Sequence, residues 1–358
     1  MILKSTFFYY LLMEICGQPN RWTTPPKAIH YTKQISLNDV YKSYIKEIEG
    51  LNPKTTKVKS IGNSFLGKPI SAIEIRHSTY YAGTVLIDAG QNGNEWQSVN
   101  MALYFLREIL VKETGLLVWI KIVVIPLVNP DGYEIAENDA NYSINVNGDD
   151  RCPGVNIAMN FDVGPQPIFS DCNSYQGKKY SSEPETINLK NYIKKLGDVK
   201  LYITLHSNQD AFIGIPFAKN NAKHSSAKMS GNIHKAVTDK LKDVEVKTGS
   251  LSEIFSKEFG GSALDWVCAI ANVDNCIYMS LSNSQGNLEN QLEAFFHGIK
   301  YAIIQYHLTD TAVAMAFSLE CMHHKKGRSQ GNHLKLKIGG AQYQPTLKKN
   351  VDINHVEK

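Results

Sequence analysis

No stretch of the 358 residues approaches the roughly 18 consecutive apolar positions that a membrane-crossing helix needs. The longest apolar stretch, Gly115 to Val128, is interrupted by Lys121 and ends at the turn-forming Asn129-Pro130-Asp131-Gly132. Cysteine is sparse: six residues exclude a dense disulfide scaffold and leave room for up to three bridges. No internal repeat is present. A basic face is missing as well. The formal charge is +4, but residues 308–358 hold eight bases and four acids, so residues 1–307 are formally neutral. The body therefore carries no electrostatic footprint for nucleic acid. What remains, 43% apolar and 20% charged residues, is the composition of an ordinary globular protein.

The chain divides into three stretches. Residues 1–20 run from Lys4 through the mostly apolar Ser5–Ile15 to Cys16-Gly17, which resembles a secretory signal peptide with Glu14 out of pattern. A remnant of a longer N-terminal segment is the alternative. Residues 21–307 alternate between strand and helix patterns. Ser36 is placed to N-cap a helix bearing Leu37, Val40, Tyr44, Ile45 and Ile48. Two strands flank Gly67-Lys68-Pro69 within Lys57–Arg76. Further strands are expected at 85–87, 118–128, 201–205 and 276–281, and helices at 96–113, 183–196, 226–242 and 288–307. This alternation predicts one α/β domain, a mixed, largely parallel twisted sheet with helices on both faces. Its functional loops should follow C-terminal strand ends, where Gly90–Trp96 and His206-Ser207 both fall. Residues 308–358 read as a basic, disordered tail. Its His323-His324-Lys325-Lys326 cluster reads as solvated rather than metal-binding.

Seven segments occur in an order and spacing that resemble the zinc carboxypeptidases of the A/B type. They are Ile61-Gly62-Asn63-Ser64 with Gly67-Lys68-Pro69-Ile70, Gly90 to Trp96, Asn129 to Tyr133, Gly154-Val155 through Asn160-Phe161, Glu183 to Thr186, Tyr202 to Ser207, and Gly260-Gly261-Ser262 with Asp265-Trp266. The resemblance spans residues 30–307. It implies the fold of that family, a zinc cofactor, hydrolysis of C-terminal peptide bonds and a secreted protein. It also implies an N-terminal pro-segment, for which the thirty or so residues ahead of the body are too few.

The resemblance further implies a set of reactive groups, and the residues at those positions depart from it. Family zinc is held by a His, a Glu three residues later, and a second His at a later strand end. Here those positions are Asn92, Glu95 and His206. A neutral amide is a poor zinc partner, so zinc is expected to be weak or absent. The general base falls thirteen residues beyond the Trp of the Asp-Trp pair, which is Met279. An Asn-Arg pair that binds the substrate carboxylate falls on Ala158 and Met159. The oxyanion Arg falls on Ile144, and the Arg of the Gly90–Trp96 loop on Asn94. The phenol that closes over substrate falls in Phe255-Ser256-Lys257. Leu264 occupies the position that sets an apolar, A-type preference, and Asn160 is expected in the same pocket. The resemblance also implies a Cys152–Cys172 disulfide. Cys268 and Cys276 flank a turn, with pairing and lone core thiols both open. Asn141-Tyr142-Ser143 is a glycosylation sequon on an expected loop.

These replacements are neutral and apolar, which avoids leaving buried charges unpaired. The expected function is a secreted, monomeric, catalytically inactive member of the family that binds a peptide or protein ligand. An active zinc carboxypeptidase of A-type preference is the alternative, and a decayed gene product is the second.

Overall fold

The computed structural model describes residues 30–309 apart from 78–80, 119, 166–168, 170, 219–223 and 257–259, together with 337–338 and 341–342. The leader-like residues 1–20, Lys257 and the His323-His324 cluster lie outside the described residues. Contacts divide the chain into two compact units, Met1–Ala314 and Met315–Lys358. In the second, Lys337–Ile338 pairs antiparallel with Ala341–Gln342.

The first unit is built on one eight-stranded sheet. Its strands are β1 (Thr56–Asn63), β2 (Pro69–Ile75), β3 (Thr84–Asp88), β4 (Lys121–Ile125), β5 (Val199–Asn208), β6 (Ala211–Ile215), β7 (Val246–Ser250) and β8 (Asn275–Ser282), in the spatial order β1-β2-β4-β3-β5-β8-β6-β7. The centre is parallel: β3 pairs with β4 and β5, and β5 with β8. The β1–β2, β2–β4 and β6–β8 pairs are antiparallel. Central parallel strands are covered on both faces, so β3 and β4 are buried at every position.

Helices cover both faces. The described helices are α1 (Leu37–Asp39), α2 (Ile45–Leu51), α3 (Trp96–Lys112), α4 (Pro130–Ala136), α5 (Pro184–Leu196), α6 (His224–Thr238), α7 (Leu251–Phe255), α8 (Ala263–Ala269) and α9 (Leu288–Thr309). One face buries Leu86, Tyr202 and Phe212 with Leu189 and Ile193 of α5 and Trp266 of α8. On the other, Gly298 of α9 sits so close to Ile233 and Val237 of α6 that a Cβ there would meet them. Phe105 of α3 packs on Phe296 of α9 with ring centroids 5.9 Å apart.

Three local readings differ from the sequence expectation. The 118–128 strand is shorter: Thr114–Val118 is a 3₁₀ turn, and only Lys121–Ile125 pairs in the sheet. Asn129 to Gly132 is not a plain turn but the start of α4. The Asn129 side chain accepts from the Gly132 N–H and Pro130 opens the helix, which is the chemistry of an N-cap. The strands β6 and β7 were not expected. They are short, and Gly214 and Gly249 interrupt their apolar pattern.

The motifs of the body turn out to hold one another. Gly93 packs against Gly132 so tightly that a Cβ would lie 2.6 Å from the Gly132 carbonyl. Asn129 Nδ2 donates to Gln91 O at 3.2 Å. Asp131 accepts from Leu66 N at 2.8 Å and from Lys68 Nζ at 2.7 Å, tying down the β1–β2 hairpin. Ser262 N-caps α8, and Asp265 accepts from Phe217 N and Ala218 N, both at 3.1 Å. Gly261 has φ +85°, and a Cβ there would lie 2.2 Å from Met159 O. Only glycine combines that backbone with that approach.

Candidate functional site

A cleft of about 250 Å³ opens at the C-terminal ends of β3, β5 and β8. Open α/β sheets place ligands at such strand ends because loops leaving parallel strands diverge there. The loop after β3 supplies Gln91, Asn92 and Glu95. Strand β5 supplies Thr204, His206 and Asn208, and β8 supplies Tyr278.

The centre is a closed polar chain. His206 Nδ1 lies 2.7 Å from Glu95 Oε2, and Asn92 Nδ2 donates to Glu95 Oε1 at 2.8 Å. His206 Nε2 lies 3.0 Å from Thr204 Oγ1. His206 and Glu95 are buried. The imidazole stacks on the Tyr278 ring, with centroids 4.2 Å apart and planes 5° from parallel. Tyr278 in turn stacks on Phe212 at 5.2 Å. Burial, reinforced by the Glu95 carboxylate, pushes the Tyr278 phenol well above its ordinary pKa. Beneath the chain lies Asp88, fully buried, accepting from Tyr202 OH at 2.7 Å and from Gln91 Nε2 at 3.1 Å. Burial raises its pKa against the opposing effect of those hydrogen bonds.

The other expected positions divide. Ala158, Met159, Leu264 and Phe255 line the cleft, together with Leu251, Phe217, Ser262 and Ala263. Ser256, next to Phe255, holds the left-handed position that closes α7. Four positions do not face the cleft. Met279, reached by counting thirteen residues, points through the sheet toward Gly298 of α9. Side chains alternate along a strand, so its neighbour Tyr278 takes the cleft side. Ile144 is buried against Gly154, and Asn94 donates outward to Ala140 O at 3.2 Å. Asn160, expected in the substrate pocket, is a buried staple instead. Its Nδ2 donates to Gln176 O, Lys179 O and Ser182 Oγ, and its Oδ1 accepts from Glu183 N.

Cys152 and Cys172 form a disulfide that closes the 152–172 loop, and Cys268 is bonded to Cys276. Asn141 is exposed in a turn.

The sequence reading missed the polar wall of the cleft: Asn156, Asn173, Ser174 and Gln176. A cluster of amides in two loops resembles any solvated loop, so only the fold brings it into view. Tyr278 was hidden for a different reason. The strand Cys276-Ile277-Tyr278-Met279-Ser280-Leu281 is buried on both faces, so its pattern does not tell which residues face the site.

Zinc is bound in proteins by imidazole, thiolate and carboxylate. The centre here offers one imidazole, one carboxylate and one amide. Among the described residues, no group of three or more His, Cys, Asp or Glu side chains is placed to hold a metal ion. The described residues that line the cleft include no Arg or Lys.

The sequence profile of the zinc carboxypeptidase family matches residues 41–298. The chain is 26% identical over 247 residues to carboxypeptidase A2 of Rattus norvegicus, covering 64% of this chain and 58% of that protein. It is 28% identical over 210 residues to carboxypeptidase B2 of Homo sapiens, covering 52% and 48% respectively. The chain thus spans about three fifths or less of the length of these relatives. Among solved structures, bovine thrombin-activatable fibrinolysis inhibitor in complex with tick carboxypeptidase inhibitor superimposes with a TM-score of 0.69 at 19% identity, covering 77% of this chain and 98% of that one. Carboxypeptidase A of Helicoverpa armigera gives 0.65 at 18% identity, covering 90% and 82%. The matched residues take in the sheet, the loop after β3 and the end of β5, and on that match the chain belongs to the zinc carboxypeptidase family.

Proposed function

We propose that this chain is a secreted, non-catalytic member of the family whose cleft binds a peptide or protein ligand without cutting it. The observation that carries this reading is the 2.7 Å pairing of His206 with Glu95, capped by Asn92, in a cleft whose described lining holds no cationic side chain. Hydrolysis in this family is expected to need a carboxylate free to activate water and cationic side chains for the developing charge. The described lining holds no Arg or Lys, and its one carboxylate, Glu95, is engaged on both oxygens by Asn92 and His206. The donor set does not fit a tight zinc site: an amide replaces one imidazole, and Glu95 is already engaged on both oxygens. What these residues do is hold a shape. Glu95 fixes the His206 ring, His206 stacks on Tyr278, and the phenol stays neutral and apolar enough to floor a binding pocket.

Secretion is supported by the two disulfides, which persist in oxidising compartments. No helix of the described residues is long and apolar enough to cross a membrane. The bovine neighbour's structure holds tick carboxypeptidase inhibitor. A protein or peptide end entering this cleft is the corresponding proposal here, with the chain acting as a monomer.

The test is a blocked dipeptide ending in Phe or Leu, incubated with purified protein supplied with zinc. The reading expects no release of the terminal amino acid. Release at a rate typical of enzymes, abolished by a chelator, would establish instead an active carboxypeptidase of apolar preference.

A further inference from the structure

The 358 residues contain one Asn-x-Ser/Thr sequence in which x is not proline, Asn141-Tyr142-Ser143. Neither the Asn amide nor the Ser hydroxyl serves the fold. Asn141 sits at the third position of a tight turn. The Tyr142 N–H donates to Asp139 O at 2.9 Å, and the Asp139 side chain accepts from the Asn141 N–H at 3.1 Å. Backbone groups and Asp139 thus close the turn. The Asn141 side chain adds nothing to it: the residue is exposed, and its amide makes no hydrogen bond to a described residue.

Ser143 is the reverse case. Its backbone is used, since its carbonyl accepts from Gly93 N at 2.8 Å. Its hydroxyl, however, is buried and has no partner among the described residues. Burying a hydroxyl without a partner is unfavourable, and alanine at that place would do the same structural work without the penalty. Packing therefore gives no reason for a hydroxyl at position 143.

Glycan transfer does give one. It needs a hydroxyl two residues after the Asn while the chain is still extended, and it needs the Asn to remain in solvent after folding, because the attached sugar is bulky. Ser143 meets the first demand before it is buried, and Asn141 meets the second. Resting on the reading of the chain as secreted, we infer that Asn141 is the acceptor of an N-linked oligosaccharide. In the transfer, Asn141 Nδ2 forms a bond to C1 of the first sugar and the amide gives up one proton. The C1–O bond to a lipid diphosphate carrier breaks, and the released diphosphate keeps the electron pair. The sugar stands on the turn that braces the cleft loop: Asn94 Nδ2 donates to Ala140 O at 3.2 Å, and that loop also carries Asn92 and Glu95.

The experiment expresses the full chain in cultured animal cells, once from its own N-terminus and once behind a secretory leader fused ahead of it. Each product is treated with peptide N-glycosidase and compared by gel mobility, and the peptide holding position 141 is weighed. The leader-led chain should show one mobility shift on treatment, with Asn141 converted to Asp. Asn141→Gln and Ser143→Ala should each abolish the shift, and Ser143→Thr should keep it. After deglycosylation, Ser143→Ala should melt at the same temperature as the unaltered chain or higher, which separates a hydroxyl kept for transfer from one kept for packing. A leader-led chain that reaches the medium without sugar at position 141 overturns the inference. So does a lower melting temperature for Ser143→Ala, which would make the hydroxyl a structural group. A chain that stays in the cytosol from its own N-terminus, while the leader-led chain is glycosylated at Asn141, fails the secreted reading alone and supports the acceptor site.

Discussion

Asn160 and Asn145, in the loops behind the cleft, have both ends of their side chains engaged. Asn92, Asn156 and Gln176, which line it, use only the amide nitrogen. Asn145 accepts from Val155 N and Asn147 N and donates to Glu183. Asn160 makes four hydrogen bonds. All of these residues are amides in buried or half-buried places, so composition does not separate them. The difference lies in the bonding: a saturated amide ties its loop through both ends of the side chain, whereas a half-used one holds through its nitrogen alone.

That contrast can be broken most forcefully in the saturated region. Asn160→Ala removes the Asn160 side-chain partner of the Gln176 and Lys179 carbonyls and of the Glu183 N–H, and one of two partners of the Ser182 hydroxyl. We expect it to cost about 3 to 4 kcal/mol in a urea unfolding titration. A loss under about 1 kcal/mol would mean that the staple is replaceable by water.

A pH titration sharpens the same side. Glu185 accepts from Phe65 N at 2.9 Å and Asn145 Nδ2 at 3.4 Å, yet burial raises its pKa from 4.5 to about 7. Because the folded value lies above the unfolded one, the native state retains the proton that the unfolded chain releases first. Stability must therefore fall as pH rises from about 4.5 through 7, by on the order of 2 to 3 kcal/mol from this group. Glu185→Gln should flatten that slope. An unchanged slope in the variant would show that other groups set it.

On the cleft side the expected effect is smallest. Gln176→Leu loses one hydrogen bond to Gly260 O but also removes a buried acceptor that had no donor. The two roughly offset, so the unfolding free energy should move by less than about 1 kcal/mol. A loss as large as that of Asn160→Ala would erase the distinction between the two kinds of amide.

Much of the fold was legible because its signals are local and redundant. Trp96–Lys112 and Leu288–Thr309 carry long helical patterns, and the glycine-rich motifs record close approaches such as Gly93 on Gly132. The short strands β6 and β7 were not legible, since five residues around a glycine resemble a loop. In the site, Glu95, His206 and Leu264 were assigned by position, and the structure places them in one cleft. Met279 and Asn160 were placed by counting along the chain, and counting does not see which way a pleated strand turns or which loop a staple closes. Tyr278 and the amide wall come to the site only when separate segments, tens of residues apart, are brought together.

The central claim is that the Asn92–Glu95–His206 centre has given up the metal that its relatives' family name announces. It is tested most directly by equilibrating the purified chain and its Asn92→His variant with equimolar zinc, removing loose ion against a mild chelator, and measuring zinc per chain. The account expects far less than one zinc on the unaltered chain and a clear gain on the variant, whose donors become two imidazoles and a carboxylate. One tightly held zinc per unaltered chain would contradict it.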